Sequence, residues 1–91
     1  MREQELVIVN ALGLHARAAA RVVRLLSGFS SQATLEFRNR SVNAKSILGV
    51  MLLAAAQGAR VVLRLDGPDE DEAMAAAAAL FERGFDEQET A

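Results

Sequence analysis

One histidine and one arginine, two positions apart, have the chemistry to accept and hold a phosphoryl group. His15 is the only histidine in the chain, and Arg17 follows it at the predicted start of a helix. The first amides of a helix lack partners within it, so this end offers N–H donors and a favourable dipole to an anion. The same dipole disfavours protonation of an imidazole, which leaves a ring nitrogen available as a nucleophile. Arg17 would add a charge-assisted hydrogen bond to the same anion.

The position of His15 is unusual for a helix start, where Ser, Thr, Asp or Asn normally caps the free amides. A cap position without such a residue indicates that it is kept for another purpose, namely attack by the imidazole on phosphorus. The alternative is a loop histidine that merely covers the helix end. A lone His-x-Arg pattern does not decide between the two.

Three arginines extend the basic character along the helix, because Arg17, Arg21 and Arg24 recur at i, i+4 and i+7 and share one face. Such a face is either ordinarily solvated or serves to steer an acidic partner surface.

The segment after Ser46 has two apolar stripes, whereas a helix that covers an open sheet needs one. The first stripe contains Val50, Leu53 and Ala54, and the second contains Leu48, Met51, Leu52 and Ala55, with Ile47 beside Met51. The helix is therefore either fully buried or presents an exposed patch to a partner, and the small size of the chain favours the patch. Ser46 itself reads as an N-cap, or as a phosphorylation site that would place about two negative charges beside the patch.

The elements that position these residues follow from hydrophobic periodicity. This periodicity predicts a buried strand over 6–9 and then a helix over 16–27 that Gly28 closes. Two strands over 33–37 and 41–43 follow, joined by a turn near Asn39-Arg40. The remaining elements are a helix from 47 to about 55, a strand over 61–66, and a last helix from Asp69 to Arg83-Gly84. The tail over 86–91 is predicted to fray. The order β-α-β-β-α-β-α predicts an α+β fold in which helices cover one face of a four-stranded sheet.

The composition excludes several classes of site and argues against several classes of partner. The chain has 91 residues, no Cys, a single His and a formal net charge of −2. Its length predicts one domain over 1–91 with a core over about 5–86, and its residue types exclude disulfides and a multi-histidine metal site within one chain. The charge, and the absence of Trp and Tyr for base stacking, argue against nucleic acid. No apolar stretch is long enough to span a bilayer and no secretory signal is recognisable, so we expect a cytoplasmic domain without membrane insertion.

Three segments together resemble a known family. Residues 13–17 (GLHAR), 41–51 (SVNAKSILGVM) and 80–85 (LFERGF) are similar to HPr, the histidine-containing phosphocarrier of the bacterial phosphoenolpyruvate-dependent phosphotransferase system. The similarity runs from residue 6 to about 87 in the family's order. It implies an open-faced β-sandwich with four antiparallel strands and three helices on one side.

The resemblance also implies roles for particular residues. His15 would accept a phosphoryl group on Nδ1 from enzyme I and pass it to a histidine of a IIA protein, while Arg17 and the backbone amides of Ala16 and Arg17 hold the phosphate. Ser46 would match a regulatory serine that a dedicated HPr kinase phosphorylates. The partner-docking surface would consist of Ala20, Arg24, Ile47, Leu48, Met51 and Leu52. We expect a carrier rather than an enzyme, without a cofactor or metal, and we expect a monomer.

The chain departs from the family's pattern at one position, because Ala18 stands where the family usually has Pro directly after the arginine. Alanine frees one more amide and leaves the entry to the helix less rigid, so we expect changed local dynamics with phosphotransfer retained. Two alternatives remain within the family: a carrier of the nitrogen-related branch, and a mainly regulatory protein that acts through Ser46. A third, a small α+β nucleic-acid binder, would need aromatic and basic residues on the open sheet face.

Overall fold

Four strands and three α-helices follow one another in the predicted order β-α-β-β-α-β-α. The computed structural model describes residues 1–87. The strands are β1 (Arg2–Val7), β2 (Gln32–Phe37), β3 (Arg40–Asn43) and β4 (Arg60–Asp66), and the helices are α1 (Ala16–Ser27), α2 (Ile47–Leu52) and α3 (Glu70–Glu82), followed by a 3-10 turn at Gly84–Asp86. All paired strands are antiparallel, in the order β1-β4-β2-β3. The predicted open-faced α+β architecture is confirmed. Within residues 1–87, no helix is both long and apolar enough to cross a membrane.

The core lies between the helices and one face of the sheet. Along β4, Val61, Leu63 and Leu65 are buried whereas Val62 and Arg64 are half-buried, as strand alternation requires. The helices cover this face with buried side chains that include Ala18, Ala19, Val22 and Leu26 of α1, Val50 of α2, and Ala73, Met74, Ala77, Leu80 and Phe81 of α3.

The other face of the sheet carries charged cross-strand pairs. Arg64 on the central strand β4 bonds Glu3 of β1 at 2.7 Å and also Glu36 of β2. Arg60 bonds Glu5 at 3.1 Å. Acidic partners satisfy the arginines of this face, which is unlike the aromatic and basic surface that nucleic-acid binding would need.

Two elements differ from the sequence prediction by three or more residues at one end, whereas the other bounds agree within one or two residues. The first strand covers Arg2–Val7 rather than residues 6–9, and it is an edge strand in which only Leu6 of the six residues is buried. Val7 and Val9 are 38% and 45% exposed. The second helix ends at Leu52 rather than near Ala55, because the chain then turns so that the Ala55 carbonyl accepts a hydrogen bond from the Leu14 amide at 2.9 Å.

Residues 86 and 87, the start of the tail that is predicted to fray, make defined contacts in the structure. Asp86 belongs to the 3-10 turn and pairs with Arg83 at 2.7 Å, and the Glu87 amide donates to the Gly84 carbonyl at 3.2 Å. The rest of the predicted tail, 88–91, lies outside the described residues.

Candidate functional site

The loop that carries His15 is fixed by its backbone. Gly13 has φ of +69°, and a Cβ built there would lie 2.5 Å from the Ala55 carbonyl oxygen, so a side chain at this position would force the backbone to shift. The buried Asn10 amide group donates to the Gly13 carbonyl at 2.8 Å. Together with the Leu14–Ala55 hydrogen bond, these contacts place His15 at the start of α1.

The imidazole of His15 caps α1 with its own ring. His15 has extended backbone geometry, and its Nδ1 accepts a hydrogen bond from the Arg17 amide at 3.3 Å. The prediction of a helix start without a side-chain cap is therefore wrong, because an imidazole nitrogen with a free lone pair is a good acceptor. The ring is 29% exposed and Nδ1 faces the first turn of α1, as the phosphoryl-acceptor interpretation requires.

The opposite edge of the ring contacts an acidic side chain. His15 Nε2 lies in hydrogen-bond contact with Glu87 Oε1, which also accepts from the Asn10 amide group at 3.2 Å. The Glu87 side chain is only 10% exposed. Burial raises the pKa of this carboxyl, but the hydrogen bonds from His15 and Asn10 outweigh burial and leave the pKa below its usual value.

A left-handed turn brings Glu87 back to His15. Gly84, Phe85 and Asp86 have φ values of 64°, 60° and 60°. The fully buried Phe85 ring packs edge-on against Phe81, with ring centroids 4.7 Å apart. An Arg21 guanidinium nitrogen donates to the Phe85 carbonyl, which ties this turn to α1.

The three arginines of α1 consequently differ in role. Arg21 is engaged with the C-terminal turn, whereas Arg17 and Arg24 are exposed. No residue of the part of the chain that the structure describes pairs with the Arg17 guanidinium, so it is available to an anion beside His15. Ala16, whose amide is a predicted phosphate donor, is the exposed first residue of α1.

The predicted apolar patch on α2 is exposed, and the alternative of a fully buried helix is wrong. This patch consists of Ile47, Leu48, Met51 and Leu52, which are 43%, 74%, 37% and 63% exposed. The patch lies beside α1, since α1 and α2 pack together. On α1, the predicted docking residue Ala20 is half-buried and the predicted docking residue Arg24 is exposed. Because α2 ends early, the last residue of each predicted stripe has the opposite burial from the rest of its stripe. Ala54 of the first stripe is exposed, and Ala55 of the second stripe is buried.

Ser46 occupies the N-cap of α2, as predicted. Its Oγ accepts a hydrogen bond from the Gly49 amide at 3.1 Å, and the side chain is half-buried. The hydroxyl directly precedes the apolar patch in the chain, so charge placed on it would lie next to Ile47 and Leu48.

Sequence reasoning missed three residues near the site: Leu12, Asn10 and Glu87. Leu12, three positions before His15 in the chain, is 72% exposed, and its place in an irregular loop gave no periodic signal. Asn10 reads as a strand end, and Glu87 lies 72 positions from His15 in a segment without periodicity.

The family model and two similar curated proteins that match this chain all describe HPr phosphocarriers. The family model described as "PTS HPr component phosphorylation site" matches residues 2–83. The chain is 55% identical over 87 residues to phosphocarrier protein HPr of Xylella fastidiosa strain 9a5c, covering 96% of this chain and 98% of that protein. It is 49% identical over 89 residues to phosphocarrier protein HPr of Cupriavidus necator, covering 98% of this chain and 100% of that protein.

A solved structure matches the fold closely. The crystal structure of HPr-C-His from Thermoanaerobacter tengcongensis superposes with a TM-score of 0.92 at 48% identity, covering 97% of this chain and 99% of that one.

Proposed function

Because the chain belongs to the HPr family of phosphocarrier proteins, we propose that His15 accepts a phosphoryl group from phosphorylated enzyme I and passes it to IIA proteins of the sugar phosphotransferase system. The observation that carries this proposal is the placement of Nδ1 at the first turn of α1, beside an Arg17 guanidinium that pairs with none of residues 1–87. We expect the protein to act in the cytoplasm as a monomer.

The geometry suits attack by Nδ1. The Arg17 amide, which donates to Nδ1 in the unphosphorylated protein, must first release the Nδ1 lone pair. That lone pair forms the new N–P bond while the bond between phosphorus and the donor breaks and its electron pair returns to the donor. The phosphoryl oxygens would then lie among the amides of Ala16 and Arg17, with the Arg17 guanidinium closing over them. These groups come from the backbone and one flexible side chain, so the hold on the phosphoryl group is moderate.

A moderate hold is what a carrier needs. Interactions that bind the phosphorylated ground state more strongly than the transition state would slow the onward transfer to the next protein. The half-exposed ring of His15 remains reachable by two partners in turn. The protein therefore takes part in the reaction as a covalent carrier, needs no cofactor of its own, and leaves catalysis to its partners.

The apolar patch is the proposed docking surface for enzyme I and IIA proteins. Ile47, Leu48, Met51 and Leu52 form an exposed apolar surface beside α1, and Ala20 and Arg24 of α1 would complete it. Methionine and leucine side chains adapt to surfaces of different shape, which suits a carrier with more than one partner. Phosphorylation of Ser46 by an HPr kinase/phosphorylase would add charge at the border of this surface and weaken docking.

Incubation with enzyme I and phosphoenolpyruvate, followed by intact-mass measurement, tests the proposal. We expect the mass of one added phosphoryl group, lost on acid treatment because the bond is a phosphohistidine. His15→Ala should remain folded and gain no phosphoryl group, whereas Ser46→Ala should still be modified. Labelling of the His15→Ala variant would refute the assignment.

The same preparation separates the alternatives. Offering the phosphorylated protein to sugar-specific and to nitrogen-related IIA proteins shows which branch it serves. A chain that carries only an acid-stable phosphate on Ser46 would be a regulatory protein instead.

A further inference from the structure

We propose that Glu87 is a positioning residue for His15: it keeps the proton of the neutral imidazole on Nε2 and so reserves Nδ1 for the phosphoryl group. This inference rests on the proposed function of His15 as a phosphoryl acceptor. It assigns a role to a side chain at the far end of the chain, outside residues 2–83 that carry the family match.

Two contacts on opposite edges of the ring require the same tautomer. The Arg17 amide donates to Nδ1, so Nδ1 must carry a lone pair and no hydrogen. Glu87 Oε1 faces Nε2, and a carboxylate can only accept, so Nε2 must carry the hydrogen. In a neutral imidazole these two demands describe one species, in which Nδ1 is the nucleophilic atom.

The carboxylate is itself held in place. Buried Asn10 donates to Glu87 Oε1 at 3.2 Å and to the Gly13 carbonyl at 2.8 Å, which links the acid to the loop that carries His15. The side chain of Glu87 is 10% exposed, so water competes little for its hydrogen bonds. The contact is therefore part of a connected network rather than a pairing of two freely moving surface groups.

The backbone that delivers Glu87 adopts an unfavourable conformation. Phe85 and Asp86 both have φ of 60°, in the left-handed region that a bulky residue such as Phe85 rarely adopts. The buried Phe85 ring and the Arg21 hydrogen bond to the Phe85 carbonyl stabilise this turn. Strained backbone that surrounding contacts enforce is common where a fold positions a functional group.

The charge of Glu87 also matters during transfer. When Nδ1 forms its bond to phosphorus, the ring still holds the Nε2 hydrogen and becomes positively charged. No proton needs to leave, because the carboxylate stabilises the cationic ring through the hydrogen bond that already exists. When the acceptor takes the phosphoryl group, the N–P electron pair returns to Nδ1 and the ring becomes neutral again.

Phosphoramidate, a small phosphoryl donor that needs no protein partner, isolates the reactivity of the ring. We expect the wild-type protein to be phosphorylated on Nδ1, because Glu87 blocks Nε2. In Glu87→Ala a substantial fraction should form on Nε2, which NMR distinguishes from the Nδ1 product. Glu87→Gln should react on the order of tenfold more slowly, since a neutral amide stabilises the cationic ring less than a carboxylate does.

Imidazole ¹⁵N chemical shifts report the tautomer directly, a property that a purely structural role would leave unchanged. The wild-type protein should show one tautomer with the hydrogen on Nε2. Glu87→Ala should raise the fraction with the hydrogen on Nδ1 by about tenfold. Glu82→Gln, which removes the same charge from an exposed position at the end of α3, is the matched control and should behave as wild type.

The outcomes separate this inference from the proposed function. If Glu87→Ala keeps the wild-type tautomer, Nδ1 selectivity and rate, Glu87 does not position His15, whatever enzyme I does. If the wild-type protein reacts with phosphoramidate as expected but never with enzyme I, the carrier function fails while the role of Glu87 stands. If His15 accepts a phosphoryl group from neither donor, both are refuted.

Discussion

Gly13→Ala is expected to destabilise the protein by about 2–4 kcal/mol, and Gly58→Ala by only about 1 kcal/mol. Both glycines have positive φ, +69° at Gly13 and +88° at Gly58. They differ in their surroundings: a Cβ at Gly13 would lie 2.5 Å from the Ala55 carbonyl oxygen and 3.0 Å from Ala56 Cα, whereas nothing lies within 4 Å of a Cβ at Gly58.

The magnitudes come from two separate costs. An alanine in the left-handed region costs about 1–2 kcal/mol, and the smaller conformational freedom of the unfolded chain returns about 0.4–1 kcal/mol. Both positions share this net cost. At Gly13 the new methyl group also overlaps backbone atoms, which cannot rotate away, and we assign about 1–3 kcal/mol to the resulting shift of the chain.

Urea denaturation followed by far-UV circular dichroism measures both values; the chain has no Trp or Tyr to serve as a fluorescent probe. The difference between the two variants isolates the steric cost at Gly13. The same shift would displace the loop that carries His15, so phosphorylation of folded Gly13→Ala should be slower than that of Gly58→Ala. Equal stability losses in the two variants, within about 0.5 kcal/mol, would refute the close approach of Gly13 to Ala55.

Three further results are expected. Ser46→Ala should cost about 1 kcal/mol through loss of the N-cap, whereas Ser46→Asp should retain the cap yet slow phosphotransfer by charging the edge of the apolar patch; an unchanged transfer rate would make Ser46 a cap only. Leu48→Asp should leave the urea midpoint unchanged, because the side chain is 74% exposed, while raising the KM for transfer from enzyme I; an unchanged KM would remove Leu48 from the docking surface. Hydrogen bonds from Ser31 and Ser30 lower the pKa of Asp69 to about 2 from 3.8, so the stability that Asp69 contributes is complete above pH 4 and is lost as pH falls towards 2. Asp69→Asn should flatten the acid side of the stability profile relative to wild type.

Much of the fold could be predicted because local patterns determine it. Alternation along β4 and the 3.6-residue period of α1 depend only on neighbouring residues, and the predicted bounds of α1 agree with the structure. The boundaries that failed depend on tertiary contacts. The end of α2 is set by the hydrogen bond between Leu14 and Ala55, residues 41 positions apart, which periodicity does not encode.

The candidate site likewise contains residues that local sequence identifies and one residue that only the tertiary structure brings to it. His15, Arg17 and Ser46 could be selected because each lies at a helix start, a position that sequence reveals through capping preferences. Glu87 could not, since it reaches His15 only through the left-handed backbone of Phe85 and Asp86, and a phenylalanine gives no signal for that conformation.

The shortness of α2 has a consequence for motion. A six-residue helix is far below the length at which isolated helices persist in water, so its order depends on the Ser46 cap and on buried Val50. Amides of α2 should therefore exchange with deuterium sooner than those of α1 and α3, through local opening that leaves the sheet intact. A bound protein that covers Leu48 and Met51 would slow this exchange, so each docking event would also order the segment on which it occurs.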